Sequence, residues 1–262
     1  MLPLKLNCDL WSYNAKQELK VGNFSGAILW YSNCIEYNPY DGRSWLGLAR
    51  ISWKKGDVAM AENYYKDGLR HNPKNSYLMQ AYAVHLEKTG KQENAFKLLQ
   101  SSVKINPSHS ASWVALGKLH ERGGRLAEAQ FCYTSAVTND PKSFVALQAW
   151  GVLESERGNA AKARELFASA IEVSSGQCVH AFQAWATMER RLGRFEEARA
   201  LLNRTLTTHP ENTRSRLSYI DLLERQGMLS QVREQFSLGE SAALMSGDAG
   251  FFQVSLSLCV CV

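Results

Sequence analysis

The sequence predicts an all-α fold: a right-handed α-solenoid of about seven stacked helix-turn-helix repeats, with a disordered or extended C-terminal tail. Three registers sharing one period predict it. Glycines stand at Gly22, Gly56, Gly90, Gly124, Gly158, Gly193 and Gly227, separated by 34, 34, 34, 34, 35 and 34 residues. Five residues after each comes a small residue, Ala27, Ala61, Ala95, Ala129, Ala163 and Ala198, with Val232 in the last place. Prolines keep the same beat at Pro39, Pro73, Pro107 and Pro141, lose it at Ser175 and resume it at Pro210.

Each register has a mechanical cause. The glycine ends the first helix of a unit, where a left-handed residue lets the chain satisfy the last carbonyls. The alanine sits where the two helices cross, since a larger side chain would hold the axes apart. The proline follows the second helix and stops it from running into the next unit. Between these marks apolar residues follow helical spacing: Trp113, Leu116, Gly117 and His120 face Ala129, Tyr133 and Ala136 in the fourth unit. Trp45, Leu48, Ala49, Ala61, Tyr65 and Gly68 repeat the arrangement in the second. One such pair cannot cover its own apolar face, so neighbours must stack on it.

The units run about 8–41, 42–75, 76–109, 110–143, 144–178, 179–212 and 213–240, one solenoid over residues 8–240, and 241–262 is a capping segment and tail. The first eight residues are too short and polar for a secretory signal and lack the composition of a transit peptide, so no targeting peptide is visible. Leu238–Met245 is expected as a short capping helix. From Phe251 the tail alternates apolar and polar residues with the period of a strand, which has no partner in a helical stack. A truncated or mispredicted end, with the natural array continuing further, is the expectation there. Cys259 to Val262 matches a prenylation box poorly, because Cys261 occupies its third place.

Composition narrows the function classes. The 45% apolar and 21% charged residues are those of an ordinary globular chain rather than a disordered one, and no apolar run reaches membrane-spanning length. A net charge of +5 permits an anionic partner without requiring one. The six cysteines form no CxxC pair and no zinc spacing, which reads as free thiols in a reducing compartment. No phosphate-binding glycine loop, nucleophile elbow or HExxH motif is present, and the histidines are scattered. The sequence therefore predicts no enzyme, no cofactor, no metal site and no small-molecule substrate.

The series Trp113, Leu116-Gly117, Ala129, Tyr133, Ala136, Pro141 resembles the tetratricopeptide repeat, over roughly residues 8–240. Units five and six depart from it together. Trp150 and Trp185 lie three places further along the first helix, with Glu154 and Glu189 four residues later and Ala163-Arg164 and Ala198-Arg199 in the second helix. This resembles the half-a-TPR variant, and is most similar to organellar members that process and stabilise chloroplast transcripts. The resemblance implies a non-enzymatic scaffold in RNA processing, binding RNA or an RNA–protein complex through its concave face, in the chloroplast or alternatively the nucleus. The alternative is a general adaptor that grips a peptide or helix without touching RNA. Capture of a C-terminal carboxylate, as in the family's chaperone adaptors, would need an asparagine where Lys16 stands.

A candidate binding face follows from the period. Two residues before the marker glycine stand Lys20, Lys54, Lys88, Arg122, Glu156, Arg191 and Arg225, six of seven basic. One turn earlier come Lys16, Arg50 and Lys118, where other units carry Val84, Val152, Thr187 and Asp221. Lys16, Lys20, Arg50, Lys54, Lys88, Lys118, Arg122, Arg191 and Arg225 are thus the candidate contacts for single-stranded RNA, with Trp53 beside them to stack on bases. The helix dipole alone favours a cation in a last turn by roughly 0.3–1 kcal/mol, so the later row has a structural origin available; the earlier row does not. Glu154, Glu189, Arg164 and Arg199 recur as a structural ion-pair set rather than as acid–base machinery. The tryptophans and His120 stand at packing positions.

Overall fold

A computed structural model of the chain describes residues 4–246, which form fourteen α-helices in two compact units divided at Asp140 and Pro141. In the first unit α1 (Leu4–Lys20) pairs with α2 (Phe24–Tyr37), α3 (Gly42–Lys54) with α4 (Val58–His71), α5 (Ser76–Lys88) with α6 (Gln92–Ile105), and α7 (Ser110–Arg122) with α8 (Leu126–Asn139). In the second, α9 (Phe144–Glu156) pairs with α10 (Ala160–Val173), α11 (Val179–Arg191) with α12 (Phe195–Thr208), and α13 (Thr213–Arg225) with α14 (Leu229–Ser246). Within each unit the second helix of a pair also packs on the first helix of the next, so the hairpins stack in sequence order as an α-helical repeat solenoid.

The turn inside each hairpin explains the glycine period. All seven marker glycines have φ between +72° and +84°, the left-handed region that side chains resist. At α3 the Gly56 amide donates to the Trp53 carbonyl and the Asp57 amide to the Ser52 carbonyl, which closes the helix. The Asp57 carboxylate then accepts from the Met60 amide at 2.9 Å, which opens α4. One polar residue after the glycine thus ends one helix and starts the next. The extra residue of the fifth unit is absorbed where proline is missing: Ser175 and Gly176 take φ of +52° and +80° after α10.

The alanine register lies in the crossing. Ala27, Ala61, Ala95, Ala129, Ala163 and Ala198 expose no surface. Aromatic rings fill the space beside them where the facing first helix carries glycine. A Cβ built on Gly117 would lie 2.5 Å from the Tyr133 ring, and one on Gly151 would lie 2.7 Å from Phe167, both fully buried rings. Between hairpins, the Trp45 and Trp113 indole N–H groups donate to the Pro39 and Pro107 carbonyls at 2.8 Å. Unit seven places arginine there. The buried Arg216 guanidinium donates to the Pro210 carbonyl at 2.7 Å and to Gln235 at 3.0 Å, and its burial lowers its pKa.

Residues 238–245, expected as a separate capping helix, are the final turns of α14. Gly239 lies buried inside that helix without a positive φ, so nothing stops the chain between Leu229 and Ser246. The strand-like pattern from Phe251 falls outside the described residues.

Gly117→Ala should lower stability by about 1–3 kcal/mol, because the added methyl meets a buried ring with no room to yield. Urea unfolding followed by far-UV circular dichroism measures it, with the exposed Lys118→Ala as a control expected to stay within about 0.5 kcal/mol of the parent.

Candidate functional site

The final turns of the first helices carry the candidate cations. Lys16 and Lys20 on α1, Arg50 and Lys54 on α3, Lys88 on α5, and Lys118 and Arg122 on α7 are exposed in the first unit. Arg191 on α11 and Arg225 on α13 are exposed in the second. Residues four apart on one helix share a face, so Lys16 with Lys20 and Arg50 with Lys54 line up as the spacing requires.

Their partners divide them. Lys16, Lys20, Lys118 and Arg191 form no ion pair among the described residues. The Lys54 ammonium lies 6.0 Å from the centre of the Phe24 ring, and the Lys88 ammonium 5.7 Å from that of Trp53. Arg122, expected as a free contact for an anion, is instead paired with Glu87 of α5. Arg225 is likewise engaged, its Nε donating to Asp221 at 3.0 Å, while Arg190 bonds the other oxygen of that carboxylate. Glu87 on the neighbouring first helix thus engages Arg122, and Asp221, shared with Arg190, engages Arg225, so these two cations are not free.

Two cations, by contrast, converge. A pocket of about 210 Å³ opens between α3 and α5, with Arg50 and Trp53 on one wall, Gln80, Val84 and Lys88 on the other, and Tyr65 of α4 beneath. None of the residues lining it is acidic. His85 lies at its edge, only 4% exposed, with its ring 5.0 Å from Trp53 edge-on, 5.3 Å from Tyr65 and 6.3 Å from Tyr82. Its Nε2 is buried without a hydrogen-bond partner. Burial lowers the His85 pKa, with Lys91 and Lys88 adding to the effect and Glu62 opposing it, so the imidazole is neutral at pH 7. Glu62 itself is occupied: Lys91 at 2.7 Å and Lys66 at 2.9 Å hold its pKa down at about 2, and the Tyr82 hydroxyl donates to it at 3.4 Å.

Sequence reasoning missed His85, yet a signal was present. Five residues before the marker glycine the other units carry Ile51, Leu119, Leu153, Met188 and Leu222, all buried, and Gln17 in the first. An imidazole in an aliphatic column is the anomaly that marks the pocket.

The aromatic–acid–arginine set of units five and six is structural, and only partly in the form expected. The Trp150 and Trp185 indoles donate to Glu154 at 2.9 Å and Glu189 at 2.8 Å, one turn along the same helix. Glu189 is 1% exposed, and Arg164 of α10 grips it with Nε at 2.7 Å and Nη2 at 2.9 Å. The Arg164 guanidinium holds the Glu189 carboxyl below the ordinary glutamate pKa, against the effect of burial. Glu154 and Arg199 do not join an equivalent pair. Asn159 donates to Glu154 at 2.6 Å, whereas Arg199 turns to Glu196 and to the Met228 sulfur. Glu224 stands one place late in its helix, a rotation of about 100° away from Arg199.

Other chemistry-bearing groups are packed. His109 and Ser112 lie 2.7 Å apart, but both are buried and Ser112 also bonds Ser102 at 2.7 Å, so the contact organises the start of α7. His120 lies edge-on to Phe96 at 5.2 Å. Cys8, Cys34, Cys132 and Cys178 are buried free thiols, and burial pushes Cys34 up to about 12 and Cys132 up to about 11. Among the described residues no group of three or more His, Cys, Asp or Glu is placed to hold a metal, and no helix is long and apolar enough to cross a membrane.

Family models described as tetratricopeptide repeat match residues 46–110, 110–143 and 179–222, together just over half of the chain. These matches carry no half-a-TPR description and leave out residues 144–178. No curated protein matches the sequence. Among solved structures, yeast Tom70 is similar at 16% identity and a TM-score of 0.76, over 99% of this chain and 55% of that one. A tetratricopeptide repeat protein from Parabacteroides merdae is similar at 17% identity and 0.64, over 90% and 93% of the two chains. PilF of Pseudomonas aeruginosa is similar at 15% identity and 0.63, over 85% and 99%. At these identities the likeness is one of fold.

Arg164→Met should destabilise the second unit by about 2–4 kcal/mol at pH 7, because it removes the two-pronged partner of a buried carboxylate and leaves it only the Trp185 indole and Arg194 at 4.0 Å. The depressed Glu189 pKa contributes stability above the ordinary glutamate range, lost as pH falls through the folded value. The difference between parent and variant should therefore shrink below about pH 4.3. Urea melts from pH 7 to pH 3 measure both.

Proposed function

We propose that this chain, which belongs to the tetratricopeptide-repeat family, is a non-enzymatic scaffold that holds an extended peptide segment of a partner protein against the first helices of its first unit. The pocket between α3 and α5 carries this reading. It is concave, of side-chain size, walled by aromatic groups and edged by polar ones, which is the form of a site that seats one anchor residue of a longer ligand. The exposed lysines of α1 and α7 lie on the same helical row on either side of it within the unit.

A second reading, contact with single-stranded RNA in transcript processing, is favoured by Lys16, Lys20, Lys118 and Arg191, which have no acidic partner among the described residues. It is weakened by the ion pairs at Arg122 and Arg225, since a polyanion is best met by an unbroken row of free cations.

One experiment separates the two. Affinity purification of the chain from a cell extract, with and without nuclease, is compared with the Arg50→Glu/Lys88→Glu variant. Protein partners that survive nuclease and are lost at least tenfold from the variant support peptide binding. Partners that vanish with nuclease, together with single-stranded RNA binding that falls steeply with salt, would support the second reading and sink the first.

A further inference from the structure

We infer that the pocket between α3 and α5 is an anchor site for the carboxylate side chain of an internal glutamate or aspartate in that partner segment, an assignment that rests on the peptide-binding reading above. Arg50 and Lys88 reach it from different helices, and no acid among its lining residues balances them. Arg50 forms no ion pair among the described residues, and Lys88 rests over the Trp53 ring rather than on a carboxylate. Two cations lining one aromatic-walled recess leave a local excess of positive charge, and a single carboxylate entering between them balances part of it.

The size and neighbours of the pocket select this guest. About 210 Å³ is room for several water molecules, enough for an acidic side chain. The Gln80 amide adds a neutral donor at the wall. The buried, unpartnered Nε2 of His85 is an additional donor position. Trp53 lies edge-on to that ring and also beneath Lys88, so a carboxylate that draws on Lys88 changes the surroundings of the indole beside the imidazole. The guest is internal to its chain because the row of first helices continues on both sides of the pocket, to α1 and to α7, so the ligand backbone has surface to follow either way. RNA is the poorer occupant. The positive charge here is a focus of two cations on one recess, and of the next candidates, on α7, Arg122 is already held by Glu87, which leaves Lys118.

The test uses the full chain and degenerate nine-residue peptides, acetylated and amidated at their ends, with the central residue fixed as glutamate, glutamine or phosphoserine and the others randomised. Binding is read by fluorescence anisotropy of labelled pools, and the indole response by tryptophan emission against a Trp53→Phe variant. The glutamate pool should bind at least tenfold more tightly than the glutamine pool and change the emission of the parent chain but not of Trp53→Phe. Arg50→Gln and Lys88→Gln should each cut the preference for glutamate about fivefold or more. His85→Leu places in the third unit the leucine that unit four carries at Leu119, so it should fold, melt no lower than the parent and still lose part of that preference. Peptides bound without preference for glutamate, or phosphoserine bound more tightly, would overturn the carboxylate assignment and leave the peptide reading intact. Absence of binding by every pool, with RNA oligonucleotides bound instead, would overturn both.

Discussion

Everything else in this fold depends on how closely two helices can cross at a residue with no side chain beyond a methyl group. The alanine register exposes no surface in six of the seven hairpins, and at Gly117 and Gly151 the facing helix gives up even the methyl so that an aromatic ring can lie flat against backbone. Close crossing fixes the angle of each hairpin, and the repeated angle makes one face of the first helices recur from hairpin to hairpin. A binding row is therefore a by-product of packing. Whatever stands two and six residues before the marker glycine reaches solvent on that row, and what stands five before it is buried in every unit after the first.

This division explains which parts were legible in the sequence. The helices, their turns and their order follow from local rules, because glycine at positive φ, a polar residue after it and alanine five places on each act within a few residues. Charge pairing does not. Nothing local tells that Arg122 meets Glu87, thirty-five residues earlier on another first helix, or that Arg199 passes over Glu224 for Met228 because of a one-residue shift. Arg216 is a further case. Its place in the period belongs to tryptophan, and arginine fills it by supplying both a flat group and a donor for the Pro210 carbonyl, a substitution that composition alone reads as a surface charge.

Buried polar groups divide into two kinds. Glu189, Glu154, Asp41 and Ser112 are satisfied: each has bonds from neighbouring helices or from its own, and Asp41 accepts from Ser44 at 2.6 Å and from Cys34 at 3.4 Å. Such groups add directional contacts to seams that apolar packing leaves free to slide, most clearly where Arg164 of one hairpin holds Glu189 of the next. His85 belongs to the other kind. Its Nε2 meets no donor or acceptor, and its column otherwise holds Ile51, Leu119, Leu153, Met188 and Leu222, with Gln17 in the first unit.

That contrast bears on what the pocket is for. An orphaned buried polar atom costs about 1–3 kcal/mol relative to a satisfied or apolar one, a large part of the margin by which a chain of this size is folded. The same column holds leucine at Leu119, Leu153 and Leu222, and the contacts of His85 with Trp53, Tyr65 and Tyr82 account for a ring in the third unit but do not account for its polar nitrogen. Nor does charge balance, since Lys91 and Lys88 disfavour its protonation. A buried polar nitrogen set beside two cations and an open recess suits a guest that carries negative charge and a lone pair. The physical penalty in the unliganded fold and the chemistry of the guest are in this sense one observation, and both trace back to a single residue out of keeping with its register.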